Sequence, residues 1–144
     1  GGIREPLIIR WPGVTKAGTT TTQSVTSVDF YPTIAAMTGI EASSHDGVDL
    51  SDFLRKNVPL EERPLFWHYP HYGNQGGSPG SAIRLGDWKL IEFFEDDRVE
   101  LYNLKNDLGE KNEAGDKNPT VRDDLLKRLR EWRDEVGARY PTRK

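Results

Sequence analysis

The segment from Pro64 to Leu101 carries short apolar runs separated by turn residues, which predicts a series of β-strands. Its centre reads as a hairpin in which strands Ser81–Leu85 and Trp88–Phe94 flank the dipeptide Gly86-Asp87. A two-residue loop with glycine first favours a type II′ turn, whose twist matches that of the strands. The hairpin therefore fixes the register of the two strands.

The predicted register gives the sheet one apolar face. It places Ile83 opposite Leu90, and the turn Glu95–Arg98 is predicted to set Phe94 opposite Val99. The resulting face, interrupted by Glu92, consists of Ile83, Leu85, Trp88, Leu90, Phe94, Val99 and Leu101. An apolar sheet face needs a cover.

The opposite face brings two like charges together, because Arg84 lies opposite Lys89 in the same register. Such a pair is unfavourable in a dry environment. We therefore expect this face to meet water or acidic groups.

The cover is predicted near the end of the chain. Apolar residues recur at helical spacing from Pro119 to Val136 and form the stripe Val121, Leu125, Leu129, Trp132 and Val136. Asn118 is the predicted N-cap, with Pro119 at the first helical position, and Gly137 is the predicted stop. This half of the chain is predicted to be an antiparallel sheet with one helix across it.

The first part of the chain is patterned differently. Leu7–Trp11 is a nearly continuous apolar run, which is typical of a strand buried on both faces. No later segment offers an obvious parallel partner, so we expect upstream sequence to supply one. Ser27–Gly39 is predicted to be a helix that buries Phe30, Ile34 and Met37, followed by a short helical piece at Leu50–Arg55. The composition of Asn57–Arg63 marks a linker.

Composition and charge narrow the classes of partner. The 144 residues include 20 Lys and Arg against 23 Asp and Glu, a formal net charge of −3, with no basic stripe. A nucleic-acid partner is therefore not expected. No apolar run approaches the roughly 18 residues of a membrane span, so no membrane partner is expected either.

The candidate binding residues are His68, Tyr69 and His71, which stand beside Tyr72 and the glycine-rich loop Gly73–Gly80. Two interpretations stay open. The imidazoles and phenols could form the wall of a polar pocket for an anionic or sugar-like ligand, since loops on rigid scaffolds often carry binding groups. Alternatively, these side chains pack at a strand end with their polar tips in water.

The sequence lacks residues that a metal site or a nucleophilic active site would need. His68 and His71 have no third ligand at a recognised spacing, so a metal site is not predicted. The sequence has no cysteine. The string Gly76-Gly77-Ser78-Pro79-Gly80 matches Gly-x-Ser-x-Gly in letters only, because it lies in a loop between two predicted strands and supplies no strand-to-helix elbow for a nucleophile. The chain alone is therefore predicted to lack a complete active site.

Five strings taken together are similar to a known family. They are GGIREPLIIRWPG from Gly1, SVDFYPT from Ser27, DGVDL from Asp46, AIRLGDWKL from Ala82 and ELYNL from Glu100. In this order they resemble the C-terminal third of a type I sulfatase, an arylsulfatase-like member of the alkaline phosphatase superfamily. Each string alone would be a weak signal, whereas the set is specific and covers essentially the whole chain.

The resemblance implies an α/β fold in two parts. Residues 1–58 would be the remnant of the large α/β sheet domain, an α+β fragment. Residues 59–144 would form a small four-stranded antiparallel sheet packed with a C-terminal helix. The loop after the first strand of that sheet would lie near the pocket mouth, which makes His68, Tyr69 and His71 expected substrate-binding residues.

The resemblance also implies chemistry for a longer parent protein. Such a parent would hydrolyse sulfate esters with a formylglycine nucleophile and a bound Ca²⁺, and it would be periplasmic or secreted. Since these groups lie upstream in the family, no catalytic or metal residue is carried over, no cofactor is expected in this chain, and the upstream part is its expected partner. Alternatives are a self-standing carbohydrate-binding or interaction module, and a phosphoester or phosphonate hydrolase of the same superfamily.

Overall fold

The computed structural model describes residues 3–43, 45–74 and 76–141. In chain order the elements are a 3-10 turn Ser27–Asp29, α1 Phe30–Thr38, α2 Ser51–Lys56, β1 Leu65–Tyr69, β2 Gly80–Leu85, β3 Trp88–Phe93, β4 Val99–Asn103 and α3 Pro119–Glu135. None of the helices in the described ranges is long and apolar enough to span a membrane. The chain divides into two compact units, one ending at Glu61 and the other beginning at Glu62. The domain division between residues 58 and 59 stays a prediction.

The second unit contains a four-stranded antiparallel sheet in the order β1-β2-β3-β4. The predicted hairpin register between β2 and β3 is confirmed, with Leu85 opposite Trp88 and Arg84 opposite Lys89. Gly86 has φ of 56°, as the first position of a type II′ turn requires. A residue with a Cβ is rarely stable in this conformation, which explains the glycine.

The turn between β3 and β4 is longer than predicted. The backbone N–H of Phe93 donates to the carbonyl of Arg98 at 2.9 Å, and Glu92 lies opposite Val99. The predicted pairing of Phe94 with Val99 is therefore wrong. The register differs by two residues, so each strand side chain keeps its predicted face, while Phe94 leaves the ladder.

Helix α3 covers one face of the sheet, as predicted. The fully buried core consists of Ile83, Leu90, Leu101, Leu125 and Leu129, and the apolar residues packed around it are Phe66, Leu85, Trp88, Val99, Val121, Leu126 and Trp132. Phe66 stacks on Trp132 with the ring centroids 4.7 Å apart. The helix stops where predicted, at Gly137 with φ of 62°. Val136 is 54% exposed and does not extend the buried stripe.

On the other face of the sheet, an acidic residue compensates the charge of Lys89. The Lys89 ammonium is 2.8 Å from both carboxylate oxygens of Glu110, and Lys89 is only 5% exposed. Glu110 lies in the connection between β4 and α3. The same connection bonds to the sheet through Leu101, whose N–H donates to the Glu113 carboxylate at 3.0 Å and whose carbonyl accepts from Ala114 at 2.9 Å. The expected acidic contact is confirmed for Lys89.

The first unit is organised around the buried carboxylate of Asp29. This carboxylate accepts hydrogen bonds from the backbone N–H groups of Thr26 and Val48, each at 2.9 Å. The Thr33 hydroxyl donates to the carbonyl of Asp29 at 2.6 Å. A Cβ on Gly47 would lie 2.1 Å from the backbone oxygen of Val28, so the approach of this segment to the 3-10 turn requires glycine. These bonds hold the segment between the two short helices.

Two expectations for the first unit differ from the structure. Leu7–Trp11 forms no strand, and Ile8 is 91% exposed. The predicted buried side of α1 is largely open, with Phe30 40% and Ile34 57% exposed. A strand forms only where another strand offers hydrogen-bonding groups, and the described part of the chain places none beside this run.

Candidate functional site

The three predicted binding residues lie at the end of β1 and just beyond it. Side chains alternate along a strand, so His68 shares the helix-covered face with Phe66 and Tyr69 lies on the opposite face. His71 follows in the loop. The structure thus separates His68 from the other two.

Both ring nitrogens of His68 are hydrogen-bonded within the chain. Nδ1 lies 2.7 Å from the Ser81 hydroxyl, and Nε2 lies 2.8 Å from the carbonyl of Arg139. Because a carbonyl only accepts, Nε2 is the donor in this bond. The contact ties the segment after α3 to β1. It supports a packing role for His68, and the predicted role in substrate binding stays a prediction.

Tyr69 and His71 form a pair that faces solvent. Their ring centroids are 5.5 Å apart in an edge-to-face arrangement, and Tyr69 is 58% exposed. A phenol and an imidazole held side by side offer hydrogen-bond donors and acceptors together with an apolar ring surface. This pair is the part of the predicted site that a ligand can reach in the structure.

The glycine-rich loop is held by Glu95, which the sequence interpretation assigned only to a turn. The Glu95 carboxylate accepts a hydrogen bond from the Tyr72 hydroxyl at 2.7 Å and another from the Ser78 hydroxyl. The bond from Ser78, followed by that from Tyr72, lowers the pKa of Glu95. The bond to Glu95 raises the pKa of the Tyr72 phenol. One carboxylate on the β3-β4 turn therefore joins both ends of the loop.

We expect acidification to release this loop. The lowered pKa means that the bonds to Glu95 are intact above the carboxyl's ordinary pKa of 4.5 and are lost as the pH falls below it through the lowered folded-state value. Backbone amide shifts of Tyr72 and Ser78, followed by NMR from pH 7 downward, would show this titration. The Glu95→Gln variant should lack it. A transition that persists in this variant would assign the titration to another group.

A second polar cluster lies on the helix-covered face of the sheet beside Ser81. Glu92 is 6% exposed, and its Oε1 accepts from Nε and Nη2 of Arg130 at 3.0 and 2.5 Å. Its Oε2 accepts from Nη2 of Arg133 at 2.5 Å. The hydrogen bonds to Glu92 raise the pKa of the Arg130 guanidinium. We call these three residues the Glu92 cluster.

The sequence held one signal for this cluster. Glu92 interrupts the predicted apolar face, and a buried carboxylate needs a cationic partner. Arg130 and Arg133 lie next to the apolar stripe of α3 three positions apart, on one side of a helix. The pairing itself joins residues 38 and 41 positions apart, so no local pattern reveals it.

The described residues 3–43, 45–74 and 76–141 hold no group of three or more His, Asp or Glu side chains arranged to bind a metal ion. The expectation that the Ca²⁺ and the formylglycine belong to a longer parent protein stays a prediction.

Comparisons with known proteins identify the family to which this architecture belongs. A family model described as N-sulphoglucosamine sulphohydrolase, C-terminal, matches residues 1–135. The chain belongs to this sulfatase family. Its fold, with a four-stranded antiparallel sheet and a C-terminal helix, matches that of the sulfatase C-terminal region, as expected.

Individual sulfatase relatives agree with the family match. A sulfatase from Formosa agariphila is 39% identical over 92% of this chain and 27% of its own length. An N-acetylglucosamine-6-O-sulfatase from Bacteroides thetaiotaomicron is 36% identical over 76% of this chain and 21% of its own length. The solved structure of BT4656 in complex with its substrate D-glucosamine-2-N,6-O-disulfate superimposes with a TM-score of 0.77 and 29% identity, over 93% of this chain and 29% of that one.

The chain thus spans about a quarter of the length of these three sulfatases, and it corresponds to the C-terminal portion of its relatives. The sheet, the helix and the exposed pair of Tyr69 and His71 therefore lie within a sulfatase C-terminal region.

Proposed function

We propose that this chain completes a longer sulfatase that hydrolyses sulfate esters. The observation that carries the proposal is the family match over residues 1–135, supported by relatives that are named sulfatases across most of the chain. In this proposal the formylglycine nucleophile and the Ca²⁺ belong to the rest of the longer protein. The chain itself contains no cysteine that could be converted to formylglycine.

The exposed apolar surface of the first unit supports the proposal that an upstream part of the same protein contacts it. Leu7, Ile8, Phe30, Ile34, Met37 and Leu50 line an open apolar groove of about 290 Å³. Exposed apolar surface of this kind is unfavourable in water and is typical of a contact surface. The unpaired run Leu7–Trp11 is apolar enough to be buried in a sheet. We propose that the upstream part of the longer protein covers this groove and pairs with this run.

The 144-residue chain is expected to be inactive on its own. The test compares this chain with the longer protein on 4-nitrophenyl sulfate, and again on 4-nitrophenyl phosphate. Release of 4-nitrophenol from the sulfate only by the longer protein is the expected result. Turnover by the chain alone would contradict the proposal, and a preference for the phosphate would favour the phosphoester hydrolase alternative.

Tyr69 and His71 are proposed to contact a sulfated small molecule or carbohydrate. They are exposed, adjacent and rich in hydrogen-bonding groups. Two relatives are consistent with a sugar substrate, since one is named an N-acetylglucosamine-6-O-sulfatase and the other was solved with a disulfated glucosamine.

We expect Tyr69→Phe and His71→Ala in the longer protein to raise KM for its sulfated substrate about 5- to 10-fold. Each change removes a hydrogen bond to the bound substrate, which is worth about 1 kcal/mol. The value of kcat should stay within about twofold, because neither residue takes part in the chemical step. Steady-state kinetics measure both constants.

Lys127→Ala is the matched control for these two variants, since the Lys127 side chain is 73% exposed on α3. Its KM should equal that of the unchanged protein. An unaltered KM in both loop variants would remove Tyr69 and His71 from the substrate site.

A carbohydrate-binding module is the second candidate, favoured by the exposed rings of Tyr69 and Tyr72, which are 58% and 68% accessible. Aromatic rings of this kind stack on sugar faces. This function predicts that the 144-residue chain binds a sulfated monosaccharide by calorimetry and that the longer protein does not hydrolyse it.

A further inference from the structure

An open cleft of about 380 Å³ lies over the Glu92 cluster. Its wall consists of Glu92, Phe94, Asp97, Arg130, Arg133, Tyr140 and Pro141. All of these residues belong to the second unit, and neither Tyr69 nor His71 is among them. The cleft borders the predicted site, since the ring centroids of His68 and Phe94 are 5.6 Å apart. The inference below does not rest on the proposed function.

Arg133 is the unusual residue of this cleft. It is 2% exposed, and only its Nη2 is bonded, to the Glu92 carboxylate. Its Nε and Nη1 are buried and have no hydrogen-bond partner. A buried charged group with unmet donors is costly, and in folded proteins such donors almost always have an acceptor.

No side chain of the described residues forms a hydrogen bond with Nε or Nη1 of Arg133. Both oxygens of Glu92 are already bonded to Arg130 and Arg133. The rings of Phe94 and Tyr140 lie 5.3 and 5.0 Å from the guanidinium carbon, in cation–π contacts. Aromatic rings stabilise the cation but offer no lone pair.

We infer that the cleft binds a small oxyanion, which accepts a hydrogen bond from one of the two unpaired donors of Arg133, Nε or Nη1. An oxyanion supplies hydrogen-bond acceptors, which these donors lack, and hydrogen bonds between a guanidinium and an anionic oxygen are strong. The ionisable side chains of the wall are two arginines, one glutamate and one aspartate, so their formal charges cancel. A neutral wall leaves the charge of a bound anion uncompensated, and the cost of burying charge rises with its size. The ligand that we infer is accordingly a monoanion, either a carboxylate or a sulfate monoester.

In this proposal, Tyr140 controls access to the site. The two unpaired nitrogens are buried, whereas Tyr140 covers the guanidinium and is itself 53% exposed. Movement of this ring opens the path to Arg133, and the ring can then pack against the apolar part of the bound molecule.

The test is an NMR titration of the 144-residue chain that follows the Arg133 Nε–H resonance. Sodium methyl sulfate and sodium acetate represent the two sources of oxyanion, with sodium chloride at matched ionic strength as the reference. The expected result is a saturable shift with methyl sulfate or acetate and none with chloride. The anion with the lower dissociation constant identifies the class of ligand. The same linear drift in all three salts would overturn the inference.

Two variants place the site. Arg133→Gln should weaken binding at least about tenfold, since it removes the charged donors. Arg128→Gln should leave binding within about twofold, because Arg128 lies on an exposed part of the same helix, paired with Asp124. Undiminished binding in Arg133→Gln would overturn the assignment. If that variant fails to fold, the titration of the unchanged chain decides the matter.

Discussion

Replacement of Glu92 with alanine is expected to destabilise the second unit by about 3–5 kcal/mol. Glu92 is 6% exposed and is the only bonded partner of the buried Arg133 guanidinium among the described residues. Its removal leaves a buried guanidinium without its hydrogen-bonded counter-ion, and this penalty exceeds the loss of the hydrogen bonds themselves. Urea unfolding of the 144-residue chain, followed by far-UV circular dichroism and tryptophan fluorescence, measures the change.

A double variant distinguishes the charge from the packing. Glu92→Leu combined with Arg133→Leu removes both charges, and we expect it to recover most of the stability lost in Glu92→Ala. This follows because an apolar replacement of a buried ion pair is often neutral, and Arg130, which also loses its partner, has a side chain that is 54% exposed to water. A loss below about 1 kcal/mol in Glu92→Ala would show that Arg133 is solvated in the folded chain.

Replacement of Leu90 with alanine is expected to lower the free energy of unfolding by about 2–5 kcal/mol, which is the second large effect. Leu90 has no exposed surface, lies opposite Leu101 and contacts the core side chains of α3. The lost burial and the cavity left behind both contribute. The same urea titration measures this loss.

Leu108→Ala is the matched control for the core variant, because it removes the same atoms from a residue that is 50% exposed. Its expected effect is within about 0.5 kcal/mol. Equal effects at the two positions would contradict the core assigned to the sheet and α3.

The sequence predicted those parts of the fold that local signals determine. Gly86-Asp87 fixed the hairpin because a two-residue turn allows one register. The turn at Glu95–Arg98 did not determine the register of β3 and β4, because its length is ambiguous from the sequence. In addition, Asp97 has φ of 56°, a conformation that a glycine usually signals. Helix α3 was found from its stripe, its first-turn proline and Gly137.

The candidate site was only partly accessible to the same reasoning. The residue types at Tyr69 and His71 indicated a binding role, but Glu95 was missed because the bonds that give it a role join residues 23 and 17 positions apart. The run Leu7–Trp11 shows the same limit, since an apolar pattern predicts burial without saying what provides it.

The bonds that Leu101 makes with Glu113 and Ala114 have a consequence for solubility. The outer strand of a sheet is a template on which other chains can polymerise, and natural proteins block such templates. Here the connection to α3 occupies the outward backbone groups of Leu101. Growth of fibrils by strand addition is therefore hindered on the β4 side of the sheet.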